Sequence, residues 1–365
     1  MSFNPDPTKQ AQKVIFSRKT KKSSHPPLVF NNANVCHTAS QKHLGIILDS
    51  QLMFETHLKT VTTKINKTIG LLRKLQNVLP RSALTTIYKA FVRPHLDYGD
   101  ILYDQAYNMS FHEKLESIQY RACLAITGAI QGSSKEKLYQ ELGLESLQLR
   151  RWYRKLAMFY KILKNKTPQY LFKFIPEKSS YYSTRNNENI PLMKVKHNFF
   201  RNSFFPSTII EWNNLDPNLR NAESFSVFKS NILKFIRPTP RSLFNCDNHK
   251  GIRLLTRLRL GLSHLREHKF RHNFQNCLNP LCSCGLEVES TSHFLLHCPL
   301  FSDNRRTLLS TLKNIGCKLL ESTDSCLTET LLFGSSSLDT ETNTLILKAT
   351  IDFILSTERF EEPLL

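Results

Sequence analysis

Long apolar runs are missing from this 365-residue sequence. None approaches the roughly 20 residues that a bilayer-spanning helix needs, so a helical membrane protein is excluded and no membrane partner is expected. Acidic residues are scarce: 30 Asp and Glu stand against 50 Lys and Arg, a formal net charge of +20. Glycine (11) and proline (16) are too few for a collagen-like or low-complexity chain. The opening MSFNPDPTKQ holds neither a basic n-region nor an apolar h-region. No secretory signal is therefore expected, and the reading is an intracellular protein of nucleus or cytoplasm. In that reducing setting the nine cysteines read as thiols or metal ligands, not as a disulfide framework. No Gly-rich phosphate loop, G-x-S-x-G elbow or H-E-x-x-H motif occurs, and no two aspartates are adjacent, so the common motif-level enzyme signatures are absent.

What is present is an ordinary soluble composition, 40% hydrophobic and 22% charged, long enough for two or three domains. The positive charge is concentrated. Residues 150–241 hold 18 basic and 5 acidic side chains, whereas 302–365 hold 6 and 10. A basic centre beside an acidic tail points to a polyanionic partner, RNA or DNA.

Apolar residues recur every three or four positions from Glu55 to Leu79 (Leu58, Val61, Ile65, Ile69, Leu72, Leu75), which predicts one long amphipathic helix. Pro80 stops it, Ser82 can cap a second helix over Ala83–Val92, and Pro94 stops that one. Further helices are expected over about 110–127, 147–163, 225–236, 302–316 and 341–360, with a basic helical pattern on Leu254, Leu258, Leu262 and Leu265. Val14–Phe16 reads as a short strand, and His43–Asp49 as a strand or tight hairpin. The fold class is mainly α with a small β part. The segments read as 1–54, a helical 55–164, a basic aromatic-rich connector 165–241, and a C-terminal helical domain 242–365.

Cys282, Cys284, His293 and Cys298 form a C-x-C-x8-H-x4-C pattern within 17 residues. That density of thiol and imidazole is what tetrahedral zinc requires, with Gly285 allowing the turn between the first pair and the rest. A spacing of five does not put His293 and Cys298 on one face of an α-helix unless the helix ends there, and Pro299 supplies an ending. His297, four residues from His293, competes as ligand, and Cys277 is a spare. A closed four-ligand site implies structural zinc; Glu287 and Glu289 read as solvated loop acids. Asp97, Asp100 and Asp104 read as turn and capping residues, and the Phe199–Trp212 aromatics as core.

Six motifs occur in one order: HLGIILD (43–49), IYKAFVRPHLDYGDILYD (87–104), KLESIQYRACLAITG (114–128), ELGLESLQLRRWYRKLAMFYKILK (141–164), FRNSFFPSTIIEWNNLDP (200–217) and CSCGLEVESTSHFLLHCPLF (282–301). Together they closely resemble the C-terminal part of the reverse transcriptase of non-LTR retrotransposons, the jockey-like group in particular. The resemblance implies the end of a polymerase palm over Asn4–Arg18, a primer-gripping hairpin with His43, Leu44 and Gly45, a helical thumb over 55 to about 130, and a zinc-knuckle-like C-terminal motif. It implies RNA or DNA contact, which we place on Lys59, Lys64, Lys67, Arg150, Arg151, Arg154, Arg257 and Arg259. The family's metal-binding aspartates lie upstream of the hairpin, and the quoted motifs begin after them. The expectation is a fragment of an RNA-directed DNA polymerase that binds nucleic acid, with magnesium chemistry only if the missing palm residues, like the missing endonuclease part, are supplied from elsewhere. The alternative is a non-catalytic structural or protein-interaction remnant.

Overall fold

Leu44 and Gly45 both take positive φ (44° and 84°). Two such residues in succession make the tight turn whose twist suits a two-strand hairpin. Ser40–His43 and Ile46–Asp49 accordingly pair antiparallel, Ser40 opposite Asp49 and His43 opposite Ile46. The computed structural model describes residues 12–19, 25–30, 33–104, 109–177, 189–243, 246–314 and 322–360. Residues 4–11 of the expected palm strand lie outside them. The strand expected at Val14–Phe16 forms instead at Gln12–Lys13, parallel to Cys36–His37.

The chain divides into two units, each assembled from three segments: Met1–Lys67, Arg93–Phe111 and Arg151–Phe225; then Thr68–Val92, His112–Arg150 and Ser226–Leu365. In the first unit the Asp49 carboxylate accepts hydrogen bonds from the N–H groups of Gln51 (3.1 Å), Met53 (3.0 Å) and Phe54 (2.6 Å). This turn feeds the chain into the Glu55–Leu75 helix. Leu58, Val61 and Ile65 of that helix are buried, as the apolar stripe predicts. The Leu147–Leu163 helix supplies Leu156, Phe159 and Tyr160 to the same unit's interior. Trp212 sits edge-on to Phe159, ring centroids 5.5 Å apart, and Tyr160 donates its hydroxyl proton to the Ala222 carbonyl at 2.8 Å. Three basic residues of this helix are matched with acids from other segments: Arg151 with Asp104 (3.7 Å), Arg154 with Asp100 (2.6 Å) and Lys155 with Glu211 (2.8 Å). Asp100 and Asp104 thus act as ion-pair partners and not only as turn formers.

Pro94 does not end its helix. The Arg81–Ile87 helix widens into a π turn over Tyr88–Val92 and resumes as Arg93–Asp97. A proline ring crowds the carbonyl four residues back and has no N–H to give; a π turn just upstream removes both conflicts by changing the hydrogen-bond register.

In the second unit, helices His249–Arg259, Ser302–Asn314, Asp324–Phe333 and Thr340–Ser356 close around Ile252, Leu255, Leu258, Leu308, Leu312, Leu327, Leu331, Ile346, Leu347 and Ile351. Gly251 is required where two of these helices touch: a Cβ there would lie 2.1 Å from Cγ2 of Ile351. Beside this core His268 is buried, its Nδ1 accepting the Ser263 N–H at 3.2 Å. Burial, and then the nearby Arg271, push its pKa from 6.5 down to about 4. The folded value lies below the unfolded one. As pH falls through about 6.5 the unfolded chain takes up a proton that the folded chain refuses until about 4, so stability is lost across that window. The loss is expected to be on the order of 3 kcal/mol, and His268→Gln should flatten it in urea unfolding measured from pH 7 to pH 4. No helix among the described residues is long and apolar enough to cross a membrane.

Candidate metal centre

The loop before the first thiol is shaped by its backbone. Leu281 and Val288 form an isolated antiparallel bridge, Cys282 N–H donates to the Glu287 carbonyl at 2.8 Å, and Gly285 N–H donates to the Cys282 carbonyl at 2.9 Å. Gly285 takes φ 76°, a conformation that a side chain disfavours. The result is a knuckle that presents Cys282 and Cys284 together.

The second pair comes from a π turn over His293–His297. Cys298 N–H reaches the His293 carbonyl, five residues back, at 2.7 Å. This register resolves the spacing problem, because a π turn brings residues five apart to one side where an α turn would separate them. Phe294 anchors the turn, buried against the rings of Phe301 and Phe353, both at 5.4 Å. The buried guanidinium of Arg305 gathers carbonyls of the turn and its exit, donating to Leu295 O (2.8 Å), Phe294 O (3.2 Å) and Cys298 O (2.9 Å).

Cys282, Cys284, His293 and Cys298 converge, with all four ligand atoms within 4.8 Å of one another. Cys282 Sγ lies 3.6 Å from Cys298 Sγ, and Cys284 Sγ 3.3 Å from His293 Nε2. Ligands about 2.3 Å (sulfur) and about 2.0 Å (nitrogen) from a tetrahedral zinc stand roughly 3.8 Å and 3.5 Å apart, so the donor set and its spacing suit that ion. The cluster could hold a metal. It contributes four ligands and leaves no open position, which suits a structural and not a catalytic role. Burial pushes the Cys282 thiol up to about 12, while the Leu286 N–H draws that of Cys284 down to about 7. Metal capture would release the remaining thiol protons.

The two alternative ligands lie elsewhere. His297 Nε2 is 2.8 Å from Asp324 Oδ2, and Cys277 Sγ contacts the carbonyls of Arg266 and Asn279. The two glutamates are not equivalent loop acids. Glu289 is buried, pairs with Arg359 at 2.6 Å and accepts the Arg266 N–H at 2.7 Å. Glu287, though exposed, places Oε2 3.1 Å from His293 Nδ1. That bond orients the ring so that Nε2 faces the thiols, the usual service of a carboxylate behind a metal-ligating histidine. Glu287→Gln is expected to weaken metal affinity about 10–100-fold in a competition titration against a chromophoric chelator. Neither Glu287 in this role nor Arg305 is visible from spacing, because both act through contacts that the turn creates.

The basic residues separate into two groups. Lys59, Lys64 and Lys67 are exposed. At 100° per residue they cover about 140° of the helix face opposite its apolar stripe. The five arginines have internal partners: Arg150 with Glu145 (2.5 Å), Arg151 with Asp104 beneath the rings of Tyr103 and Phe111, and Arg154 with Asp100. Arg257 donates to the Gly128 carbonyl at 2.9 Å, and Arg259 pairs with Glu141 at 2.9 Å. His43, Leu44 and Gly45 form the exposed end of the hairpin, where the Tyr98 hydroxyl donates to the Leu44 carbonyl at 2.5 Å. Among the aromatics, Trp212 is core as expected, whereas Phe199 and Phe200 remain 44% and 42% exposed.

Fold and site thus describe a mainly helical chain with a Cys3His cluster and a basic helix. Over 130 residues, 35% of the chain, it is 25% identical to a Drosophila melanogaster protein described as a probable RNA-directed DNA polymerase from transposon X-element. The matched stretch spans 14% of that relative's length. No family model and no solved structure matches the chain.

Proposed function

We propose that this protein is a nucleic-acid-binding part of a non-LTR retrotransposon reverse transcriptase of the jockey-like group, with a structural zinc ion in its C-terminal module. The observation that carries the reading is the exposed Lys59, Lys64 and Lys67 face, three cations on one rigid helix in a chain of net charge +20. Such a row fits the phosphates of a duplex, and each contact displaces condensed counterions. Cys282, Cys284, His293 and Cys298 would hold the zinc, which supplies a crosslink between the knuckle and the π turn. We assign the arginines to the architecture and not to the ligand, because each already serves an acid or a carbonyl of the fold, and releasing it to a phosphate would cost stability.

Filter binding to duplex RNA or RNA–DNA hybrid across a salt series tests this. The wild-type affinity should fall steeply with salt, and changing Lys59, Lys64 and Lys67 together to alanine should reduce the log–log slope by about 2–3. An affinity that ignores salt, or an unchanged slope in the triple variant, would defeat the reading. A protein-interaction role is favoured by one observation, the consecutive exposed Leu28, Val29 and Phe30 at 52%, 56% and 45%. It predicts self-association that Val29→Lys abolishes in analytical ultracentrifugation.

A further inference from the structure

A concave site of about 250 Å³ lies within the first unit, lined by the hairpin, the start of the Glu55–Leu75 helix and the Arg93–Asp97 segment. Its chemistry is one-sided. Lys42, Lys64, His57 and His95 line it together with Gly45 and Tyr98, and no Asp or Glu does. Lys42, Lys64 and His95 are exposed, and none of the three has an acidic partner among the described residues. Of the acids nearest along the chain, Asp49 is engaged with three backbone N–H groups and Asp97 with Arg93 at 3.8 Å, while the exposed Glu55, two residues before His57, does not line the site. His57 is buried, its Nδ1 facing the Ile47 N–H at 3.5 Å, and its Nε2 has no hydrogen-bond partner. The wall is rigid. Tyr98 latches the hairpin turn through the Leu44 carbonyl, and a Cβ at Gly45 would lie 3.2 Å from Tyr98 Cε1.

We propose that this cavity binds a phosphate monoester, carried by a phosphorylated strand end or by a free mononucleotide. A monoester holds about −1.5 to −2 charges at pH 7 and three strong acceptor oxygens. That matches two ammonium groups, two imidazoles and no counter-ion better than the single charge of an internal phosphodiester does. The volume lies just below the roughly 300–1,000 Å³ of sites that enclose whole drug-sized ligands, which suits a phosphoryl group together with the sugar that carries it. The site goes beyond the nucleic-acid reading and stands without it, since inorganic phosphate alone probes it.

The experiment titrates the full chain with inorganic phosphate, AMP, and one oligonucleotide carrying either a 5′-phosphate, a 3′-phosphate or hydroxyl ends. Calorimetry gives the affinities, and the imidazole resonances of His57 and His95 report the location. Inorganic phosphate should shift both resonances, and one phosphorylated end should bind about 5–20-fold tighter than hydroxyl ends. AMP binding as tightly as that strand would identify the free mononucleotide as the source. The Lys42→Ala, His95→Gln variant, changed only at exposed positions, should abolish the phosphate effect while hydroxyl-ended strands bind within about twofold. Phosphate binding without any affinity for hydroxyl-ended strands would remove the proposed nucleic-acid function and leave this site standing. Equal affinities for phosphorylated and hydroxyl ends, with no shift of either imidazole, would overturn it.

Discussion

Cys298→Ser is expected to take the protein from one bound zinc per chain to nearly none and to lower its stability by several kcal/mol. Structural zinc contributes an apparent binding free energy on the order of 10–16 kcal/mol in small domains. Here only part of that is expected to appear as stability, because Leu255, Leu331 and Ile351 belong to a core built from residues outside the four ligands. The loss should fall on the knuckle and the π turn. Cys298 is fully buried, its carbonyl is held by Arg305, and its thiol faces Cys282 at 3.6 Å. Metal analysis of the purified chain, with thermal unfolding before and after chelation, checks the prediction. A wild-type protein that carries no metal, or whose unfolding is unchanged by a strong chelator, would show that the three thiols and the imidazole meet only by packing.

Arg259→Ala is expected to destabilise the protein by about 3–5 kcal/mol while leaving the salt dependence of RNA binding as in the wild type. Arg259 is 7% exposed and donates to three acceptors: Glu141 Oε1 at 2.9 Å, the Leu332 carbonyl at 2.6 Å and the Ser242 carbonyl at 3.2 Å. Arg81 approaches the same Glu141 oxygen at 2.6 Å. One carboxylate is therefore shared by two guanidinium groups, and removing either cation strips a hydrogen bond from the buried Glu141 carboxylate. Urea unfolding of Arg259→Ala alongside Glu141→Gln measures this. If both variants unfold at the wild-type midpoint, the network carries no stability. If Arg259→Ala lowers the salt slope instead, the arginine belongs to the ligand surface after all.

These two results separate what a pattern of residues can say from what a fold adds. The Glu55–Leu75 and Leu147–Leu163 helices were legible because a 3.6-residue repeat of apolar side chains has few other solutions. The hairpin at Leu44–Gly45 was legible because a β-prone run is broken by glycine. Four thiol and imidazole groups crowded into 17 residues announced a metal centre by the same logic of density. Several helices went unforeseen, Phe204–Asn213 in the connector among them, and two are instructive, Lys135–Leu142 and Asp324–Phe333. The first is a short element made stable by its ends, with Ser134 capping one and Gly143 in left-handed conformation closing the other. The second packs its leucines into a core supplied by distant segments.

Composition and local periodicity settled by themselves that this is a basic, mainly helical chain with a dense Cys3His motif and no long apolar span. Those properties depend only on side-chain chemistry and on neighbours a few residues apart. Tertiary structure decided which histidine joins the cysteines, which glutamate stands behind it, and which cations face solvent. The reason is physical. The π turn that brings His293 beside Cys298 is held by Arg305 and by the rings around Phe294, and Arg259 is withdrawn from the surface by a glutamate 118 residues away. Contacts of that range are chosen by packing, and no local spacing encodes them.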